Sequence, residues 1–218
     1  MKIIKLILDN DTVHYYGVGD IMRGDLEYFL NEINLAPDMV YTDPPWTNGN
    51  CKYWRTIASR QDESIQSYRL SYHSFLLKLK EQLPHTPLFI EGSRLTYNTL
   101  INVFSEDYEY NKCYKVFYND NIEQRLLFFN DATILLELDD MIDLEYVLEA
   151  FKYFQDTVKT VLDPCTGLGL TSSVSYSFGK NFIGFDLNKT RLDKTIGLFK
   201  DKILEGEELW IGEQDNHS

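Results

Sequence analysis

The sequence predicts an α/β chain built on a doubly wound, largely parallel sheet, and two observations predict it. Short apolar runs alternate with longer stretches that repeat apolar residues at helical spacing. The runs are closed by acids: Asp20, Asp43, Asp163 and Asp186 each stand at a strand end. In doubly wound sheets ligands bind beyond the carboxyl ends of the strands, so four carboxylates along that rim describe a site. Capping of the next helix by Asp explains one or two of them, not four.

The elements follow in order along the chain. Residues 12–20 (TVHYYGVGD) read as a strand closing on a Gly-Asp turn, and residues 24–34 as a helix through Leu26, Phe29, Leu30 and Ile33. The next strand is DMVYTD. A helix over 64–83 carries Ile65, Tyr68, Tyr72, Phe75, Leu76, Leu79 and Leu83 on one face and ends at Pro84. PLFIEG (87–92) is a buried strand, followed by a helix over 94–104. Strands near 113–119 and 124–130, joined by the turn-like NDN, predict an antiparallel hairpin at one edge of the sheet. A helix spans 144–154, then KTVLDPCTGLGLT gives strand, glycine turn and helix start. NFIGFD (181–186) is a strand, and Leu192, Ile196, Phe199 and Ile203 stripe a final helix. No repeat, low-complexity tract or linker divides the chain. Its 218 residues read as a single domain over 1–204 followed by an acidic tail over 205–218, in which Trp210 packs down on the domain.

The net charge of -13 argues against non-specific coating of nucleic acid, which needs many Lys/Arg–phosphate contacts. Charge is unevenly spread, however. Residues 51–61 hold Lys52, Arg55 and Arg60 beside Trp54 and no acid, within a loop over 47–63. Cys51, Cys113 and Cys165 are few and scattered, which fits a reducing cytoplasm and offers no metal clip. His14, His73, His85 and His217 show no ligand spacing, so no metal is expected. The apolar run near the N-terminus is too short for a signal peptide, and no later stretch is expected to span a membrane.

Two motifs carry chemistry. In DPCTGLG, Gly167 and Gly169 sit between a strand and a helix, where a backbone without Cβ can turn tightly and admit a ligand. About twenty residues on, Asp186 ends the next strand, placed to accept ribose hydroxyls. Thr171 and Ser172 stand where a dinucleotide fingerprint needs its third glycine, which favours S-adenosylmethionine over NAD(P). No G-x-x-x-x-G-K-[ST] is present, so triphosphate chemistry has no support. The other motif is YTDPPWTNGN (41–50), where two prolines stiffen the chain directly after a strand-terminal acid. Asp43 and the Pro44 carbonyl can accept both hydrogens of an exocyclic amine, held ready by the fixed dihedrals of Pro44 and Pro45. Trp46 offers a face for stacking a base, worth about 1–3 kcal/mol. A base inside a duplex would be flipped out to reach it.

DPPW, DPCTGLG and FIGFDLNKTRLDKTI resemble the catalytic, cofactor and acidic-strand motifs of the S-adenosylmethionine-dependent amino-methyltransferases, which methylate adenine N6 or cytosine N4. The order, catalytic motif (38–50) first and cofactor motif (160–188) near the C-terminus, looks like the circularly permuted β class. The resemblance covers residues 12–46 and 160–203, and implies a Rossmann-like methyltransferase sheet. It implies that Asp163, Pro164, Thr166, Gly167 and Gly169 hold the methionine part of the cofactor, Asp186 its ribose and Asp20 its adenine. Asp43, Pro44, Pro45 and Trp46 would hold and activate the amine. Trp46, Asn48, Lys52, Trp54, Arg55 and Arg60 would meet the nucleic acid. The family's HPTQKP-like segment has no counterpart; ELDDMIDLEYVLEAF stands in its place.

Aspartate at the head of the tetrapeptide favours DNA adenine N6. RNA adenine and DNA cytosine N4 are the alternatives, and a methyltransferase acting on a small molecule or protein amide is a further rival. An inactive scaffold subunit is the alternative of another class. Sequence choice would come from the basic loop at 51–61 or from a second subunit, as in a homodimer, or would be loose.

Overall fold

A computed structural model describes residues 1–33, 35–45, 52–53, 56–57, 65–83, 85–93, 96–118, 121–142 and 145–210, the side chains of 65–71, 118, 121–122 and 209–210 excepted. The described residues form one nine-stranded sheet. Its strands are β1 (Lys2–Leu8), β2 (Val13–Val18), β3 (Met39–Thr42), β4 (Leu88–Gly92), β5 (Tyr110–Tyr118), β6 (Asn121–Phe129), β7 (Thr160–Asp163), β8 (Asn181–Asp186) and β9 (Ile203–Trp210). The helices are α1 (Asp25–Glu32), α2 (Ile65–Gln82), α3 (Tyr97–Phe104), α4 (Glu145–Tyr153), α5 (Leu170–Ser177) and α6 (Lys189–Gly197). Across the sheet the order is β5-β6-β4-β3-β7-β8-β2-β1-β9.

Helices cover both faces, which is why the central strands are apolar on both sides rather than alternating. Every residue of β3, β4 and β7 is buried. Val40, Leu88, Ile90, Leu162 and Ile183 face a layer made by Leu26 and Phe29 of α1, Phe75, Leu76 and Leu79 of α2, and Leu100 and Phe104 of α3. Tyr41, Phe89, Val161 and Phe182 face the opposite layer, with Val147 and Phe151 of α4, Val174 of α5 and Leu192 of α6. No helix among the described residues is long and apolar enough to cross a membrane.

Three expectations need correction. The sheet is not mostly parallel with one antiparallel hairpin. Its central five strands, β4-β3-β7-β8-β2, run parallel, but both flanks are antiparallel: β4-β6-β5 on one side and β2-β1-β9 on the other. Short connections allow only antiparallel pairing, and the link from β1 to β2 is four residues, 9–12. The final helix does not reach Ile203. It stops at Gly197, and Lys202 N–H closes a turn on the Phe199 carbonyl at 2.8 Å before β9 begins. The acidic tail is not a tail over its first residues. Residues 205–210 belong to β9 and pair with β1, where Lys2 meets Glu208 at 2.6 Å and Lys5 meets Glu207 at 3.7 Å. The acids that read as a solvated run are the cross-strand partners of lysines two hundred residues away.

Candidate active site

The parallel centre directs the carboxyl ends of β2, β3, β7 and β8 to one rim, and a cleft of about 750 Å³, counting space open to solvent, lies there. Asp43 and Pro45 line it from the end of β3; Pro164, Cys165 and Gly167 line it from the turn after β7. Asp186, Leu187, Asn188 and Arg191 line it from β8 and the start of α6, and Gly19 and Ile21 from the turn after β2. Tyr53, Ile57 and Phe75 complete the wall. The cleft therefore brings together Asp43, Pro45, Pro164, Gly167 and Asp186 of the residues singled out in the sequence.

The glycine turn is tied to the end of β8. Gly167 N–H donates to Asp186 Oδ2 at 2.8 Å, and Asn188 N–H donates to Oδ1 at 2.7 Å. Burial raises the Asp186 pKa, while these two donors and the nearby Arg191 pull the other way. Asn188 in turn caps α6, its side-chain oxygen accepting from Thr190 N–H at 2.9 Å and Arg191 N–H at 3.2 Å. The two glycines serve different ends. Gly167 has φ +56° and open space at its missing Cβ, the nearest atom being the Cys165 carbonyl oxygen at 3.7 Å. Gly169 has φ +85°, and a Cβ there would lie 2.5 Å from Thr195 Cγ2, so its bareness admits helix α6 rather than a ligand.

Asp163, Thr166, Gly169, Asp20 and Pro44 stand behind the wall rather than on it. The Asp163 carboxyl is buried, accepting from Cys165 N–H at 2.9 Å and from the Thr171 hydroxyl. Burial, reinforced by the like charges of Asp43 and Asp186, pushes its pKa up to about 8 against those two donors. Thr166 is an internal brace: its hydroxyl donates to the Asp163 carbonyl at 2.9 Å and its N–H to the Phe185 carbonyl at 3.1 Å. Asp20 Oδ1 accepts from Met22 N–H at 2.9 Å and caps a short 3-10 turn over Ile21–Arg23. Pro44 is buried and Asp43 exposed. Lys52 is exposed and away from the wall. Trp46, Asn48, Trp54, Arg55 and Arg60 lie outside the described residues.

Sequence reasoning missed Tyr53 and Arg191. The Arg191 guanidinium lies over the Tyr53 ring at 4.6 Å from its centre, and Asn188 donates to the Tyr53 hydroxyl, so the segment after the catalytic motif meets the start of α6. The missed signal was an arginine in the first turn of a helix that opens beside an acidic strand end. It also missed a buried polar cluster at the end of β4. Glu91 Oε2 pairs with Arg125 Nη2 at 2.9 Å, and Glu91 Oε1 accepts from Tyr41 Oη at 2.5 Å and Tyr146 Oη at 3.1 Å. A lone acid closing an apolar strand, as in PLFIEG, was the available sign.

No protein-family model and no curated protein matches the sequence. The fold does match solved structures. M1.HpyAVI superposes with a TM-score of 0.58 at 14% identity, over 84% of this chain and 97% of that one. TTHA0409 of Thermus thermophilus, provisionally classed as a DNA modification methylase, gives 0.58 at 15% over 87% and 95%. PvuII DNA methyltransferase, which is cytosine-N4-specific, gives 0.55 at 11% over 84% and 85%. M1.HpyAVI and TTHA0409 have also been crystallised with S-adenosylmethionine. At these identities the likeness is one of fold: the chain shares its architecture with these structures.

Proposed function

We propose that this chain is an S-adenosylmethionine-dependent methyltransferase of the permuted β class that modifies the exocyclic amine of a DNA base, adenine N6 first. One observation carries the reading: Asp43 and Pro45 share a single cleft with Gly167 and Asp186, although more than a hundred residues separate the two groups.

The donor set fits this cofactor. Asp186 presents a carboxylate suited to ribose hydroxyls, Gly167 leaves its side of the turn bare, and Ile21 and Leu187 give apolar walls for a flat ring. The acids Asp43 and Asp186 line the cleft, and acids there suit a cation. Asp163 and Thr166 would act from behind, by fixing the turn, and Gly169 by letting α6 close against it. Asp20 is proposed to accept the adenine amino group while its Oδ1 caps the neighbouring turn. When bound, S-adenosylmethionine supplies an electrophilic methyl group on a sulfonium.

Toward the target, Asp43 and the Pro44 carbonyl accept the two amine hydrogens and draw the nitrogen lone pair out of conjugation with the ring. Pro45 keeps these acceptors fixed before the base arrives, so orientation supplies much of the rate. Trp46 stacks the base, and Asn48, Lys52, Trp54, Arg55 and Arg60 meet the strand. The domain would run over 1–210, with β9 completing the sheet. DNA cytosine N4 is the second reading, favoured by the fold match to the PvuII enzyme.

Incubation with methyl-labelled S-adenosylmethionine and DNA, RNA or protein in separate reactions tests the proposal. Label in DNA that digests to N6-methyladenine is expected; N4-methylcytosine selects the second reading. Label in RNA or protein alone, or in no polymer, overturns both.

A further inference from the structure

We infer that Glu91 and Arg125, acting through the Tyr41 hydroxyl, are positioning residues for the catalytic strand end that carries Asp43. The inference rests on the proposed function for its chemical meaning. Its geometric content is independent of it.

The cluster draws on four elements. Tyr41 comes from β3, Glu91 from β4, Arg125 from β6 and Tyr146 from α4. Arg125 and Tyr41 are each 1% exposed, Tyr146 2% and Glu91 6%. Arg125 also donates to the Gly92 carbonyl at 3.3 Å and the Gln124 carbonyl at 3.1 Å, and its guanidinium lies over the Tyr146 ring at 4.8 Å. Such a cluster is an unpromising way to stabilise a core. Desolvation of a buried pair consumes most of its attraction, and well-packed apolar side chains often do as well. Here Arg125 Nε and Gln124 Oε1 are moreover buried with no hydrogen-bond partner among the described residues, which adds a further cost. Stability alone does not account for the cluster.

Its place in the sheet does. Thr42 is in register with Ile90, so Glu91 lies level with Asp43 on the neighbouring strand. Side chains alternate along a strand, which puts Tyr41 and Glu91 on one face. β3 is four residues long and its ladder ends at Thr42; the prolines that follow have no N–H with which to extend it. Beyond Thr42 the chain leaves the ladder, so side chains add to what holds its last paired residues. Tyr41 is stacked on Phe89, with 5.1 Å between ring centres and 9° between planes, and its hydroxyl is fixed on Glu91. Glu91 is itself fixed by Arg125 and Tyr146. The antiparallel flank and α4 thus set the direction in which the chain leaves the sheet toward the cleft.

The test compares two double variants that both remove the buried charge pair. E91Q/R125M keeps an acceptor for Tyr41, whereas E91L/R125M removes it. The expected result is similar melting temperatures and cofactor Kd within about threefold of wild type for both. E91L/R125M should lose on the order of 100-fold in kcat, as displacement of a reacting group by about 1 Å does, and E91Q/R125M should recover most of it. Hydrogen exchange at the Thr42 and Asp43 amides should quicken in E91L/R125M and not in E91Q/R125M, a readout that needs no turnover. Should E91L/R125M fail to fold, Y41F removes the hydroxyl alone and should show the same exchange change with kcat down about tenfold. Unchanged exchange in the folded variants overturns the inference even if the wild type is an active methyltransferase. Changed exchange in a wild type that methylates nothing upholds the positioning and defeats only the proposed function.

Discussion

Glu91 and Asp163 both lie at the carboxyl ends of buried strands in the parallel centre, β4 and β7, yet only one has a cation beside it. Glu91 is paired with Arg125 at 2.9 Å, and two tyrosine hydroxyls donate to it. Asp163 has two donors, and its charged neighbours Asp43 and Asp186 are of its own sign, so it holds its proton at neutral pH. One rim thus serves two purposes. Where the chain must be aimed, a full charge network fixes it. Where a cationic ligand is expected, carboxyls crowd together and the innermost waits neutral.

Breaking the charged end should have the larger effect on stability. E91A leaves Arg125 buried without its counter-charge and should cost about 3–5 kcal/mol, read from denaturant unfolding. A loss below about 1 kcal/mol would mean that water reaches the guanidinium and that the pair is not the buried anchor described.

The neutral end predicts a smaller, pH-dependent effect. Asp163 has a folded pKa of about 8, above its ordinary 3.8, so its contribution is full at low pH and is lost as pH rises toward 8. His14 works in the opposite sense: burial lowers its pKa from 6.5 to about 4, so its contribution is lost as pH falls below 6.5. The two slopes cancel between about pH 4 and 6.5, and only that of Asp163 remains from 6.5 to 8. Over that upper window the protein should lose about 2 kcal/mol. D163N should remove the decline, and persistence of the decline in D163N would place the titrating group elsewhere.

The same contrast explains what could be read in the sequence. Asp43, Asp163 and Asp186 were visible because each ends an apolar run, and the local pattern that makes a strand also marks its last residue. The helices α1, α2 and α6 were visible through their apolar spacing, although α6 ends sooner than that spacing implies. Glu91 and Arg125 were not, since a charge beside an apolar run reads as a solvated end until its partner from another strand is in place. The pairing of β1 with β9 was hidden for the same reason: Lys2 and Lys5 find Glu208 and Glu207 from the far end of the chain. Gly169 was found for the wrong cause, because nothing local announces Thr195 against it. Trp46 and the basic residues after it remain a reading of the sequence.

In the proposed function one cleft divides its labour, with Asp186 serving the donor and Asp43 the amine. Cofactor Kd by calorimetry and methyl transfer to DNA, measured side by side for D43A and D186A, test it most directly. D43A should bind S-adenosylmethionine within about threefold of wild type and transfer no methyl group, whereas D186A should bind it about 10–100-fold more weakly. Near-normal turnover by D43A would contradict the claim.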